Sequence, residues 1–472
     1  MERLIAAILT ATMLYTADMS PGDYPDNPID PISGVIAITW SSPSYWRDDL
    51  PSIRDFTGWF PQIYYIRPDD SLWVRSLNTF AQTTSISAPF GGEREEWYEW
   101  YERFYERYGL SSTDYMHEMV LENVAYVTSN DFSAFALQND GTLWAWGTPV
   151  HGMLGLGDID DWSVYQPRKV MDNVVSVYAG RNLSIYAITA DGVLWGWGGG
   201  LFPGTLGDGT DEVRNQPVHI MDDVSNVILG NFHAMAITNN SELWSWGNNE
   251  FGQLGDGTTE DRLSPVKIME NVRSAGVVNR PRFDLTNAAR NYSFAITNDG
   301  DLWAWGMNEG QIGDGTMEDR LYPVRILDNV RHAESFDFLR NVNSFAMRED
   351  GSLWAWGQND ITEYPSRNIA DGSLPVKIKR DAASLWQVHG TGLLVIDGFG
   401  RIWSSGISSG STAQPPDFVR YYFTRLERFE RDFEISPFVY MADSVDPLFL
   451  GADGSFWRYS REILPAGSVR VQ

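Results

Sequence analysis

The sequence predicts an all-β protein, a β-propeller of four-stranded blades. A hairpin motif, in which a turn residue and Gly precede Leu-Trp-x-Trp-Gly, returns along the chain together with a Gly-rich loop and a Pro-Val-x-Ile segment. The eight Trp anchors of this motif are 71, 51, 49, 59, 51, 49 and 54 residues apart. A period of this length is typical of repeat proteins such as propellers, whose blades each contain four strands.

Each copy of the motif reads as a β-hairpin. In the clearest example, apolar alternation over residues 293–297 leads into the turn Asn298-Asp299-Gly300 and then into Leu302-Trp303-Ala304-Trp305. Asn, Asp and Gly tolerate the backbone conformations of tight turns, and alternation indicates strands. Clear copies end at Gly147, Gly198, Gly247, Gly306 and Gly357, and weaker copies at Trp73, Trp403 and Trp457.

Two further strands complete each blade. After the hairpin comes a loop such as residues 252–258, and then an edge strand such as Pro265-Val-Lys-Ile268. Pro is placed at a strand's first residue or on an outer edge, where its missing N–H costs no ladder hydrogen bond. Another strand, such as residues 173–178, precedes the hairpin. One blade cannot cover both of its own faces, so the blades are expected to stack.

Two amphipathic helices are predicted as insertions, over residues 93–108 and 417–433. The apolar residues of the first recur at helical spacing, and they are Trp97, Trp100, Tyr101, Phe104 and Tyr108. The second stripe is Phe418, Tyr422, Leu426, Phe429 and Phe433. Such stripes either cover the core and edges of the ring or form a raised aromatic platform for a partner. On the second interpretation, Trp97, Trp100 and Tyr101 are the candidate binding residues.

The N-terminal part of the chain divides into short segments. Residues 1–19 carry Arg3 and then an apolar run, which predicts either a signal peptide or an N-terminal helix. Residues 20–34 are rich in Pro and are expected to be a linker. Residues 35–472 are expected to form a single propeller that contains both helical insertions. No other stretch predicts an integral membrane span.

Composition excludes several classes of function. The 35 basic and 63 acidic residues give a net charge of −28, which repels phosphate backbones, so nucleic acid is not an expected partner. Because the chain has no cysteine, it has no disulfides, thiolate metal sites or cysteine nucleophile. The six histidines lack metal-ligand spacing. We therefore assign no catalytic residue, metal or cofactor, and we do not expect an enzyme.

Two recurring features have both structural and functional interpretations. The Gly-Asp-Gly-Thr loops offer Asp208, Asp256 and Asp314, which read as turn residues rather than as ligands of a hard cation, because the full calcium-loop spacing is absent. The paired Trp of each hairpin alternate on a strand and point to one face. This arrangement favours packing between blades over stacking on sugars.

The hairpin, the loop Gly-Gln-Leu-Gly-Asp-Gly-Thr and the strand Pro-Val-x-Ile, in that order, resemble the repeats of the regulator of chromosome condensation family. The resemblance is strongest over residues 120–378. It implies a propeller that usually has seven blades, whereas eight hairpins are counted here, so seven and eight both stay open. The family pattern Gly-x-x-His is kept at residues 230–233, while Ser133, Ser184, Tyr292, Asn343 and Gly392 occupy the other His positions.

The resemblance implies a non-catalytic scaffold that binds a protein partner. Members of the family bind proteins such as the nuclear GTPase Ran or β-lactamases, but the acidic charge argues against a chromatin role. The style of the repeats is similar to bacterial surface and secreted proteins, so an extracellular or cell-surface location is expected, with a cytoplasmic location as the alternative. The alternative function is a carbohydrate-binding or glycoside-hydrolysing propeller, with a polysaccharide partner and a carboxylate pair.

Overall fold

The computed structural model describes seventeen segments of the chain. They are residues 37–41, 62–66, 69–76, 117–130, 132–159, 163–180, 183–199, 204–278, 291–338, 341–357, 373–388, 392–397, 402–407, 421–425, 440–441, 448–450 and 456–458. Within them the chain is β-strand and turn, with one short 3-10 turn at Val150–Gly152. The chain divides into two compact units, residues 1–139 with 435–460, and residues 140–434 with 461–472.

The first unit contains antiparallel strands of the first, second and last repeats. The first repeat is a four-stranded sheet of Ala37–Ser41, Gln62–Ile66, Leu72–Ser76 and His117–Leu121, in that order. The second repeat contributes the paired strands Val124–Ser129 and Ser133–Gln138. The eighth repeat is a three-stranded sheet of Tyr440–Met441, Leu448–Leu450 and Phe456–Arg458.

The second unit contains the remaining repeats. The second repeat supplies Leu143–Gly147 paired with Val164–Met171, and five four-stranded antiparallel sheets follow, each with its strands adjacent in chain order. The third repeat consists of Val174–Ala179, Ser184–Thr189, Leu194–Gly198 and Arg214–Met221. The fourth consists of Val224–Leu229, His233–Thr238, Leu243–Gly247 and Arg262–Met269, and the fifth of Val272–Val277, Tyr292–Thr297, Leu302–Gly306 and Arg320–Leu327. The sixth consists of Val330–Phe338, Asn341–Arg348, Leu353–Gly357 and Val376–Lys379, and the seventh of Ala382–Val388, Gly392–Asp397, Ile402–Ile407 and Tyr421–Arg425.

The eight hairpin anchors counted in the sequence all lie in strands, from Trp73 in the first repeat to Trp457 in the eighth. Three of the segments that begin with Pro in the sequence, those of the third, fourth and fifth repeats, are longer strands than expected. Pro265, for example, is the fourth residue of Arg262–Met269. This strand is the last in its sheet, so the missing N–H of Pro265 falls on the outer edge, as Pro requires.

Neighbouring sheets of the second unit bury each other's faces. All six residues of the second strand His233–Thr238 are buried, although its sequence is not uniformly apolar. In the core between the fourth and fifth repeats, Met235 and Leu243 pack with Ala295 and Trp305. A strand covered on both faces needs a neighbour on each side, which is why a single repeat is not a stable unit.

A recurrent backbone hydrogen bond ties the hairpin turns of the second to sixth repeats to the repeat that follows. Its donor is the first residue of the next repeat's first strand, and its acceptor is the turn carbonyl at the motif's Gly position. The pairs are Val174 to Gly141 (2.9 Å), Val224 to Gly192 (2.8 Å), Val272 to Ser241 (2.8 Å), Val330 to Gly300 (2.7 Å) and Ala382 to Gly351 (2.8 Å). Ser241 replaces Gly in one turn and takes the same left-handed conformation, with φ 61°.

The helix expected over 417–433 is wrong where the structure describes it. Tyr421–Arg425 is a strand that pairs antiparallel with Ile402–Ile407. Its sequence, Tyr-Tyr-Phe-Thr-Arg, is rich in residues that favour strands, and it supplies the fourth strand that the seventh repeat needs. The helix over 93–108, the N-terminal segment 1–19 and the linker 20–34 lie outside the described residues. The assignment of 35–472 to a single propeller stays a prediction.

Candidate interaction surface

The second Trp of each pair is a structural link between repeats. Trp305 donates its indole N–H to the main-chain oxygen of Gln253 in the preceding repeat, at 2.9 Å. Trp356 makes the same bond to Gln311 (2.8 Å) and Trp197 to Met153 (2.8 Å). The corresponding rings are buried, namely Trp146, Trp197, Trp246, Trp305 and Trp356. The prediction that these rings pack between blades is confirmed, and they are not available to stack on a sugar.

The Gly-rich loops approach the next repeat too closely for a side chain. Gly255 has φ +82°, and a Cβ there would lie 2.7 Å from Nε1 of Trp305. Two residues after Gly255, Gly257 donates its N–H to the carbonyl of Leu321 on the fourth strand of the following repeat, at 2.9 Å. The repeated glycines therefore serve a close approach between successive repeats.

The acidic residues of these loops are bound to the protein's own donors. Asp256 accepts hydrogen bonds from the N–H and the hydroxyl of Thr258 (3.0 and 2.8 Å) and from Nε of Arg262 (2.6 Å). Burial raises the pKa of Asp256, but the bonds from Thr258 and Arg262 outweigh it, so its pKa lies below the ordinary value.

Asp314, with Thr316 and Arg320, repeats this arrangement and the same direction of pKa shift. In the third repeat, Arg214 binds Asp208 at 2.5 Å, and this bond raises the pKa of the arginine. Across the described residues, no group of three or more His, Asp or Glu is arranged to hold a metal ion. The three aspartates therefore stabilise the conformation of their loops.

A buried amide keeps each of two loops rigid from inside. Asn249 is fully buried, donates to the carbonyl of Thr258 (3.0 Å) and accepts from the N–H of Leu254 (3.0 Å). Asp261 closes the loop by accepting the N–H of Asn249 at 2.8 Å. Asn308 and Asp319 make the corresponding bond in the fifth repeat, also at 2.8 Å. These loops are therefore ordered before any partner arrives, which lowers the entropy cost of binding.

Exposed apolar side chains gather along these rigid loops. We call this row the loop edge and define it by Val213, Leu263, Met317, Tyr322 and Leu374, whose exposed fractions are 44, 37, 49, 64 and 54%. They lie in the Gly-rich loops or at the start of the fourth strand. A contiguous exposed apolar surface is uncommon in proteins that have no partner for it.

Loops and apolar residues alternate from one repeat to the next along the loop edge. A Cβ on Gly204 would lie 3.0 Å from Leu263 of the following repeat, and a Cβ on Gly315 would lie 3.2 Å from Leu374. The Tyr322 ring lies directly on Gly257, where a Cβ would come within 1.9 Å of its Cζ. The exposed ring therefore packs against the loop backbone on one side.

Acidic side chains flank the apolar row. Glu212, Glu260 and Glu318 occupy equivalent positions after the loop Thr, and their side chains are 73, 81 and 82% exposed. The loop edge therefore offers apolar groups and negative charge together.

The sequence-based site residues Trp97, Trp100 and Tyr101 lie outside the described residues, so their role stays a prediction. Sequence reasoning missed the loop edge because Leu263 and Tyr322 read as ordinary strand residues. The available signal was their position in Arg-Leu-Ser-Pro and Arg-Leu-Tyr-Pro, at the start of a strand already assigned to the outer edge. Apolar side chains there point to solvent unless something covers them.

Repeats of antiparallel strands, linked from the second to the sixth through a buried Trp and a glycine loop, define the class as a repeat β-propeller. The model described as the regulator of chromosome condensation (RCC1) repeat matches residues 140–187 and 240–279, and a second model of that description matches 224–253. The chain contains regulator of chromosome condensation (RCC1) repeats.

Two curated proteins illustrate the similarity. The chain is 30% identical over 243 residues to the human E3 ubiquitin-protein ligase HERC2, which covers 48% of this chain and 5% of the ligase. It is 28% identical over 259 residues to the ultraviolet-B receptor UVR8 of Arabidopsis thaliana, which covers 53% of this chain and 57% of the receptor. The chain thus matches between a twentieth and somewhat over half of the length of these relatives.

Solved structures show a distant likeness. Human WBSCR16 aligns with 79% of this chain and 92% of its own, at 15% identity and a TM-score of 0.46. Yeast RCC1 (Prp20), in its complex with Kap60, aligns with 68% of this chain and 73% of its own, at 18% identity and a TM-score of 0.42. A similarity of this size identifies neither an activity nor a partner. Within the described residues, no helix has the length and apolar character needed to cross a membrane.

Proposed function

We propose that the protein is a non-catalytic scaffold that binds a protein partner along the loop edge. The observation that carries the proposal is the row of exposed apolar residues beside the Gly-rich loops, two of which are held by buried amides. Tyr322 supports it best, because the ring is 64% exposed and packs against Gly257. Aromatic side chains with this combination dominate the energetic centres of protein interfaces.

The fold suits this role because successive repeats hold the loops at a regular spacing on stiff sheets. A binding residue on such a support loses little freedom when the partner binds. The five second-position Trp rings are buried between repeats, so these rings are not available to the carbohydrate alternative.

The test is affinity capture with the full chain against cell-envelope extract, with purified wall polysaccharide in parallel. The variant Leu263→Ser/Tyr322→Ser/Leu374→Ser changes the loop edge, and Val175→Ser is the matched control, since Val175 is 57% exposed on a first strand. Unchanged tryptophan fluorescence and unfolding midpoint establish that each variant is folded.

Saturable capture of a protein by the wild type and by Val175→Ser, lost in the triple variant, supports the proposal. Capture that survives the triple variant overturns the loop edge as the binding surface. Retention on polysaccharide that free sugar competes, with no protein captured, overturns the scaffold in favour of a carbohydrate-binding propeller.

We propose a secreted or cell-surface location, of the bacterial repeat type, on the basis of Arg3 and the apolar run within residues 1–19. N-terminal sequencing of the protein recovered from the medium or the cell surface tests this location. Recovery in the cytoplasm with residue 1 intact contradicts it.

A further inference from the structure

The loop edge repeats one combination of groups in the fourth and fifth repeats. In each, an exposed Glu comes two residues before an Arg, and an exposed apolar side chain lies near that Arg at the start of the outer strand. The residues are Glu260, Arg262 and Leu263 in one repeat, and Glu318, Arg320 and Tyr322 in the other. The glutamate and arginine positions are equivalent in the two repeats, whereas the apolar side chain is one residue after Arg262 and two residues after Arg320.

The arginines lie closer to the loop aspartates than to these glutamates. Nε of Arg262 is 2.6 Å from Asp256, but its Nη1 is 4.0 Å from Glu260. Arg320 is bound to Asp314 in the same way, and its Nη1 is 3.8 Å from Glu318. Both arginines thus bind the loop aspartates more closely, and the carboxylates of the two glutamates are exposed to solvent. In the third repeat, Glu212 is closer to its arginine, at 2.9 Å.

At the opposite ends of the strands, some exposed acids have close basic partners, as in Lys267 with Glu270 (2.6 Å) and Lys169 with Asp172 (2.7 Å). The negative charge of the loop edge is carried in part by Glu260 and Glu318, which lie farther from their arginines. It agrees in sign with the net charge of −28, which favours encounter with positively charged partners.

We infer that the partner presents to the loop edge an extended polypeptide segment in which Lys or Arg alternates with apolar side chains. This inference rests on the proposed function and names the chemistry of the partner. The basic groups of the segment pair with Glu260 and Glu318, and its apolar groups pack against Leu263 and Tyr322. Successive repeats bind successive parts of the segment. Because these parts belong to one chain, several weak contacts together raise its overall affinity.

The probe is a fluorescently labelled peptide in which Lys, Leu and Ser repeat, titrated against the full chain and followed by anisotropy. Two companion peptides replace Lys by Glu or Leu by Ser. The variant Glu260→Gln/Glu318→Gln removes the two charges. The control Asp222→Asn/Glu270→Gln removes two equally exposed charges, 76 and 73% exposed, from the other end of the strands.

We expect the Lys-Leu-Ser peptide to bind the wild type and the control variant, and to bind Glu260→Gln/Glu318→Gln about tenfold more weakly, since each of the two exposed ion pairs that are lost contributes about threefold. Added salt should weaken wild-type binding more than binding to that variant. Both companion peptides should bind more weakly than the Lys-Leu-Ser peptide.

Equal binding of the Lys and Glu peptides, or equal loss in the control variant, overturns the inference. Failure of the inference is distinguishable from failure of the scaffold proposal. If the natural partner is lost from Leu263→Ser/Tyr322→Ser/Leu374→Ser but captured fully by Glu260→Gln/Glu318→Gln, the loop edge is the binding surface and the basic segment is wrong.

Discussion

Trp305 and Gln253 are joined across two repeats by a hydrogen bond from the indole N–H to the main-chain oxygen, at 2.9 Å. The same oxygen also accepts the hydroxyl of Ser293 at 2.9 Å. One carbonyl in a glycine loop therefore anchors both central strands of the following hairpin. The loop edge depends on this contact, because the loop that presents Leu263 is fixed at its base by it.

Replacing Trp305 tests this link. Trp305→Phe should lower the free energy of unfolding by about 1–3 kcal/mol, because it removes a buried hydrogen bond and leaves a cavity. Trp303→Phe is the matched control, since Nε1 of Trp303 is buried with no hydrogen-bond partner and its loss breaks no bond. Urea unfolding midpoints of the two variants make the comparison. Equal destabilisation would contradict the role of the Gln253 bond.

The close approach of the loop gives a second prediction. Gly255→Ala combines a left-handed φ of +82° with a contact to the Trp305 ring, whereas Gly209→Ala has φ +86° and meets a single hydroxyl, that of Ser264, at 3.3 Å. In both variants the left-handed backbone lowers the free energy of unfolding by about 1–2 kcal/mol. Gly255→Ala should cost about 1–3 kcal/mol more, because the core is overpacked. Thermal unfolding midpoints that coincide would show that the ring moves aside freely.

The Asp314 bonds with Thr316 and Arg320 make a third prediction. Asp314→Asn should destabilise the second unit by about 1–3 kcal/mol, because charge-assisted bonds to the loop are lost. Glu318→Gln, in the same loop but 82% exposed, should leave the unfolding midpoint nearly unchanged. Hydrogen exchange of the N–H of Thr316, which binds Asp314 at 3.0 Å, reports the loop directly and should quicken only in Asp314→Asn.

His233 gives a prediction about pH. Burial lowers the pKa of His233 from its ordinary value of 6.5 to about 4, while Nε2 remains 2.9 Å from the hydroxyl of Ser293. Above pH 6.5 the imidazole is neutral in both folded and unfolded chains and has no effect. As the pH falls from 6.5 to 4, the unfolded chain binds a proton that the folded one does not, so stability decreases by about 3 kcal/mol and then levels off.

The test is His233→Asn, which places in the fourth repeat the residue found at the equivalent position, Asn343, in the sixth. Its unfolding free energy should change less between pH 6.5 and 4 than that of the wild type. A wild type and variant with parallel pH profiles would show that His233 is not responsible for acid sensitivity in this window.

The sequence was most informative where local chemistry and repetition agree. Turn residues such as Asn298 and Gly300, and the alternation around Trp303 and Trp305, predicted hairpins that the structure contains. It was least informative at Tyr421–Arg425, where an apolar spacing suited to a helix became a strand. Helical periodicity is a local signal, and pairing with Ile402–Ile407 is a contact that no local signal reports.

The sequence by itself determined the fold class, the family, the period of the repeat and the acidic charge, because all of these follow from residue types at fixed spacings. Only the tertiary structure decided which Trp is buried against the preceding repeat, and that Asp256 binds Arg262 rather than facing solvent. It also decided that Leu263 and Tyr322 form part of one exposed row. The reason is physical: burial and charge pairing depend on the neighbouring sheet, and a neighbour one repeat away in sequence is visible only when the sheets are packed.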